Sequence, residues 1–258
     1  MHSAPGTARP AATLIVARGG EEGVPQFLMI ERAATMSFAG GAMVFPGGAV
    51  DEADRGWATS LGSAFERDDL AARIAAIRET IEETGLVPAV GGGAASSEQA
   101  AALRQALHTG RSLADAAADL ALDFDFSALV PFARWCPPAE AMTPRRYDTR
   151  FYLAVLQDGE HAPEPDGSET VALGWHSAEG ILERARQGHA TIVFPSRRNL
   201  ERLAQFGSVA ELLDHAHAQP VSLIMPWVEA RDGVDHLCIP EGIGYPVTSE
   251  PLVTARRS

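Results

Sequence analysis

The chain has 258 residues, 46% of them apolar, and a formal net charge of −13, so it can bury a full core as one large domain without staples. That charge argues against long nucleic acid and anionic membrane as partners, because their binders carry a basic patch, whereas a small metal-chelated nucleotide stays compatible. All 21 basic residues are arginine, which removes Schiff-base and lysine-nucleophile chemistry, and the two cysteines, Cys136 and Cys238, form no C-x-x-C, so no disulfide framework or zinc ribbon is expected.

Met1 to Ala11 reads as a disordered N-terminus. It lacks a charged region followed by an apolar stretch, and nowhere do roughly eighteen apolar residues run together. Ala255-Arg256-Arg257-Ser258 is not a peroxisomal address. The expectation is a soluble, cytoplasmic protein. Thr13 to Ala17 and Gln26 to Ile30 read as strands, separated by the turn-like Gly19-Gly20-Glu21-Glu22-Gly23. Ala42 to Phe45 is a short apolar run that should end as a strand at Pro46, which cannot donate to a ladder. Gly47-Gly48 then reads as a loop whose backbone carbonyl can approach a cation closely, or simply as a turn.

Residues 55–69 read as a loop leading into a helix over Ala71 to Thr84, where Ile74, Ile77 and Ile81 form a buried stripe. Gly85 suits the left-handed residue that ends such a helix. Gly91-Gly92-Gly93 breaks the chain before two small inserted helices, Ser97 to His108 and Ser112 to Leu122, within residues 91–127. Strands follow at Ala128 to Trp135 and Arg150 to Leu156. Ser177 to Gln187, Arg198 to Phe206 and Val209 to His217 read as helices, and Val221 to Val228 and Asp235 to Ile239 as late strands. This order suggests an α/β class chain built as an α/β/α sandwich with a mixed sheet, with one domain over residues 12–245 and a tail over 246–258.

Glu79, Glu82 and Glu83 are spaced i, i+3 and i+4, so a helix sets all three carboxylates on one face. Unpaired, each such contact costs roughly 0.2 to 0.5 kcal/mol; a divalent cation with hard-oxygen preference reverses the sign. The alternative is a solvated acidic face. Arg78, four residues before Glu82, is placed to hold that carboxylate and leave Glu79 and Glu83 facing a metal.

Gly48 and Arg78-Glu79-Thr80-Ile81-Glu82-Glu83-Thr84-Gly85-Leu86 together resemble the Nudix box, G-x5-E-x7-R-E-U-x-E-E-x-G-U with U a bulky aliphatic. Thr80 replaces an aliphatic residue, and Asp54 stands at the first glutamate. Gly48 to Arg78 spans 30 positions where the pattern spans 14, an insertion of 16 residues. The enlarged box, with Met43-Val44-Phe45-Pro46-Gly47-Gly48 before it and Val50-Asp51-Glu52-Ala53-Asp54 within it, is similar to the branch of peroxisomal coenzyme A diphosphatases and their bacterial relatives. Trp135-Cys136-Pro137-Pro138, Arg145-Arg146-Tyr147-Asp148-Thr149-Arg150-Phe151, the Glu169 to Trp175 spacing, and Phe194-Pro195 with Leu200 and Leu203 match in the same order.

The resemblance implies the Nudix fold and metal-dependent hydrolysis of a diphosphate bond in a nucleoside diphosphate linked to another group. Glu79, Glu82, Glu83 and the Gly47 carbonyl would hold one to three Mg²⁺ or Mn²⁺ ions, with Arg78 orienting and Glu79, Glu82 or Glu169 taking a proton. Coenzyme A or an acyl derivative is the favoured substrate. ADP-ribose, a dinucleoside polyphosphate, or a catalytically silent nucleotide sensor are the rivals; NADH fits less well, since zinc-ribbon cysteines are absent and Phe194-Pro195-Ser196 is only a fragment of the motif found there. Arg145, Arg146 and Arg150 around Asp148 read either as a clamp for the 3′-phosphate of coenzyme A or as surface ion pairs. Trp135 reads as an adenine-stacking ring or as core, and Glu169 as an extra ligand or a solvated acid. The partner is a small nucleotide-type substrate; a homodimer is left open.

Overall fold

In the computed structural model, which describes residues 8–34, 40–138, 146–156, 162–165 and 170–255, the central strand β1 (Arg9–Gly19) is apolar on both faces. Ala12, Leu14 and Val16 point into one helical layer and Ile15 and Ala17 into the other, as a two-residue side-chain period between two covered faces requires. β1 runs parallel to β6 (Tyr147–Val155) and antiparallel to β2 (Pro25–Arg32) and to the short β4 (Gly47–Ala49). β3 (Met43–Val44) and β7 (Thr170–Ser177) pair with β2, while β5 (Val130–Trp135) and β8 (Leu223–Ile224) extend the sheet beyond β6.

One face is covered by α1 (Glu52–Ser60), α2 (Arg67–Thr84), α3 (Ser97–His108) and α4 (Leu113–Asp119). The other carries α5 (Ala178–Arg186), α6 (Phe194–Leu203) and α7 (Val209–Ala218). This is the expected α/β/α sandwich around a mixed sheet. A small antiparallel sheet of β9 (Trp227–Arg231), β10 (Val234–Cys238) and β11 (Ser249–Pro251) follows, then α8 (Leu252–Ala255). Among the described residues no helix is long and apolar enough to cross a membrane.

Several elements differ from the sequence reading. The stretch 55–69, expected as a loop, is largely helical: Asp51 and Asp54 close a reciprocal capping box, Asp54 N to Asp51 Oδ1 at 2.8 Å and Asp51 N to Asp54 Oδ2 at 3.0 Å, which nucleates α1. α2 starts at Arg67, a turn earlier than expected, because Glu66 caps it through the Asp68 and Asp69 amides. Gly47-Gly48 is strand β4 rather than a loop, its register fixed by Thr13 and Ala12 of β1. The single late strand expected over Val221 to Val228 is two, β8 and β9, with Pro226 between them. Arg9 to Ala11, expected in the disordered terminus, belong to β1, and Ser249 to Ala255, expected in the tail, form β11 and α8.

Candidate active site

α2 carries Arg78, Glu79, Glu82 and Glu83 past β4, where Gly48 lets the strand meet the helix and Gly47 lets it meet β1. A Cβ on Gly48 would lie 2.4 Å from the Glu79 carboxyl carbon; one on Gly47 would lie 2.5 Å from the Ala12 carbonyl oxygen. At Gly47 the clash is with backbone, so only glycine fits there; at Gly48 it is with the far end of the Glu79 side chain, which a larger residue would displace. Glu83, 4% exposed, accepts the Gly47 N–H at Oε2, 2.9 Å away, and its Oε1 lies 3.5 Å from an Arg32 Nη1. The backbone group observed against the acidic face is thus the Gly47 amide.

Arg78 was expected to hold Glu82 by paired hydrogen bonds, and the geometry corrects this. Its fork grips Asp54, Nε to Oδ1 at 3.1 Å and Nη2 to Oδ2 at 2.9 Å, and the same Nη2 donates to the Ala49 carbonyl at 2.9 Å. Nη1 reaches Glu79 Oε1 at 2.8 Å and Glu82 Oε1 only at 3.4 Å. Asp54, 2% exposed, is the anchor because it is presented by α1, where the expected loop could not fix it. Burial alone would lower the Arg78 pKa, but Asp54, Glu79 and Glu82 outweigh it and keep the guanidinium charged.

Burial pushes the Glu79 carboxyl up to about 7 against the pull of Arg78, and raises Glu82 for the same reason. One arginine does not offset so many partly buried acids. Among the described residues no three Asp, Glu, His or Cys side chains are gathered into a cage for an ion. Mg²⁺, however, typically takes one or two carboxylates and fills the rest of its shell with water and substrate oxygens. Glu79, Glu82 and Glu83 supply hard oxygens on a face short of positive charge, and so fit such an ion.

The family model of the NUDT19 Nudix domain matches residues 56–203. The chain belongs to this family and is a Nudix hydrolase. It is 29% identical over 238 residues to the acyl-coenzyme A diphosphatase NUDT19 of Gallus gallus, covering 72% of this chain and 63% of that one. The Homo sapiens protein of the same name is 27% identical over 264 residues, covering 82% and 70%. The chain thus spans a little under two thirds of the Gallus gallus relative's length. A crystal structure of a Nudix hydrolase from Alicyclobacillus acidocaldarius superimposes with a TM-score of 0.68 at 32% identity, covering 80% of this chain and 96% of that one. Nudix hydrolases generally use divalent cations.

Not every residue singled out from the sequence of this Nudix hydrolase gathers at α2. Trp135 is 2% exposed, with Phe194 and Tyr245 edge-on at centroid distances of 6.0 and 5.7 Å, so the stacking reading is corrected: its ring packs in the core. Arg146 donates to the Pro137 carbonyl from Nε at 3.2 Å and Nη2 at 3.0 Å. Asp148, expected among Arg145, Arg146 and Arg150, is gripped by Arg134 at 2.8 and 2.6 Å, and Arg150 reaches Asp69 at 3.2 Å. Arg145 and Glu169 lie outside the described residues. Arg32, which sequence reasoning missed, ends an apolar strand with no local pattern to mark it; only the β2-to-α2 packing brings it to Glu83.

Gly48→Ala separates site geometry from stability. The atoms it meets are the far end of a flexible Glu79 side chain, which can swing away at a cost within about 1–3 kcal/mol. Tm should fall by about 2–12 °C at most while kcat falls by roughly 10- to 100-fold, because a misplacement near 1 Å costs about that much. Steady-state kinetics beside a melting curve checks both.

Proposed function

We propose that this Nudix hydrolase cleaves the diphosphate of coenzyme A or an acyl-coenzyme A, giving 3′,5′-adenosine bisphosphate and the (acyl-)phosphopantetheine. The observation that carries the reading is the acidic face of α2, with Glu79 against Gly48 and Glu83 on the Gly47 amide, in a chain related to proteins named acyl-coenzyme A diphosphatases.

Glu79, Glu82 and Glu83, with the Gly47 carbonyl, would hold Mg²⁺ or Mn²⁺, which when bound would neutralise the diphosphate and acidify a water for attack. Asp54 fixes Arg78, and Arg78 in turn fixes Glu79, so the carboxylate geometry is set before substrate arrives. The water oxygen forms a new bond to phosphorus in line with the bridging oxygen, which departs with the other phosphate. The proton of that water would pass to Glu79, to Glu82 or to a loop acid such as Glu169. Arg146, which donates to the Pro137 carbonyl from Nε and Nη2, would be an arginine of a clamp for the 3′-phosphate. The buried free thiols of Cys136 and Cys238 suit a reducing compartment, which supports a cytoplasmic location.

The test is mass-spectrometric product analysis after incubation with coenzyme A, an acyl-coenzyme A and ADP-ribose, each with Mg²⁺ or Mn²⁺. The reading expects 3′,5′-adenosine bisphosphate from the first two. AMP from ADP-ribose alone would keep the hydrolytic centre but overturn the substrate, and no product from any would overturn the reading.

A further inference from the structure

Helix α2 carries its acids at the end where a helix tolerates them least. Glu79, Glu82 and Glu83 lie in its last two turns with no basic residue in the final turn, although the partial negative charge there favours cations. The last carbonyls of a helix also need partners from outside it. Thr84 Oγ1 donates to the Thr80 carbonyl at 2.6 Å, Gly85 N to Ile81 at 2.8 Å, and Glu164 N to the Thr84 carbonyl at 2.7 Å. The Glu82 carbonyl is taken by the inserted helix α3, with Arg104 Nε and His108 Nε2 each 3.1 Å away.

Arg104 and His108 are four residues apart and so share one face of α3. Beside them Leu103 and Leu107 are buried in the same core as Ile74, Ile77 and Ile81 of α2. A Cβ on Gly85, which has φ +70°, would stand 3.1 Å from an Arg104 Nη1, so the guanidinium lies close against the helix end. To donate to a carbonyl, His108 carries its proton on Nε2. The insert therefore supplies, from outside, the C-terminal donors and positive charge that the sequence of α2 lacks.

We infer that Arg104 and His108 are positioning residues for the hydrolytic centre: through the Glu82 carbonyl they fix the last turn of α2, and with it the carboxylates of Glu82 and Glu83. This rests on the cation centre proposed above. A purely packing role for the insert would need only its leucines.

The experiment compares the full chain with an Arg104→Ala/His108→Ala double variant and with Arg104→Lys. It reads hydrogen exchange at the amides of residues 83–86, the affinity for Mn²⁺ alone by electron paramagnetic resonance, and kcat and KM for an acyl-coenzyme A. The double variant should exchange faster there and bind Mn²⁺ about 10- to 100-fold more weakly, as loss of an outer partner of a ligand does. Its kcat should fall with KM little changed, and Arg104→Lys should recover part of each. If the double variant does not fold, His108→Ala alters an exposed side chain alone and is expected to move each reading the same way. Unchanged exchange and Mn²⁺ affinity in a folded variant would overturn the inference alone, whereas a wild-type protein that binds no Mn²⁺ would overturn the cation centre and this inference with it.

Discussion

Glu83→Gln is expected to lower hydrolysis by at least about 100-fold, more than loss of an outer partner of a metal ligand typically costs, while the protein stays folded. Glutamine matches glutamate in shape and can still accept the Gly47 amide now 2.9 Å from Oε2. What it loses is the charge. Arg32 then faces a neutral amide where it had a carboxylate at 3.5 Å, and with the two side chains only 16% and 6% exposed the weaker partner costs about 1–3 kcal/mol. A large activity loss in a protein that is destabilised but still folded is therefore the signature of a ligand rather than a structural group. Rates within about twofold of wild type would mean that Glu83 supplies no transition-state stabilisation.

Asp54→Ala should instead strike stability and activity together. It strips a charged arginine, 8% exposed, of its two-bond partner, and breaking a buried pair on one side costs about 3–5 kcal/mol. For a domain of this size each kcal/mol moves Tm by about 2–4 °C, so a fall of about 6–20 °C is expected by calorimetry. The capping box of α1 goes with it, since Asp54 Oδ2 holds the Asp51 amide at 3.0 Å. Activity falls because Arg78, no longer anchored, ceases to place Glu79. Asp54→Asn keeps the shape and the cap and should lose less stability. A Tm change below about 2 °C for the alanine variant would show that Arg78 finds other partners.

The parts of the fold legible in sequence were those with strong periodicity. The stripe of Ile74, Ile77 and Ile81 with three glutamates off it could be little other than a helix, and the β-branched, apolar run Thr13 to Ala17 reads as a strand, whose burial on both faces only the fold shows. α1 was missed because its signal is one short capping box followed by Gly56, a poor helix residue. β4 was missed because glycine has no strand preference of its own, and its pairing with β1 is a contact between distant residues. The same limit applies to the site. The i, i+3, i+4 glutamates are local and readable, whereas Arg32 against Glu83 joins elements far apart in sequence, and Arg104 against the Glu82 carbonyl and Arg134 against Asp148 depend on how successive elements pack. Trp135 misled because a tryptophan at a strand end reads alike whether its ring meets a ligand or, as here, Phe194 and Tyr245.

The most direct test of the hydrolytic centre is an anomalous difference map from wild-type and Glu83→Gln crystals soaked in MnCl₂. The account predicts a peak in the wild-type crystal within about 2.0–2.3 Å of carboxylate oxygens of α2, Glu83 among them, and its loss or marked weakening in the variant. A wild-type crystal with no peak on that face, or a peak equally strong in the variant, would contradict it.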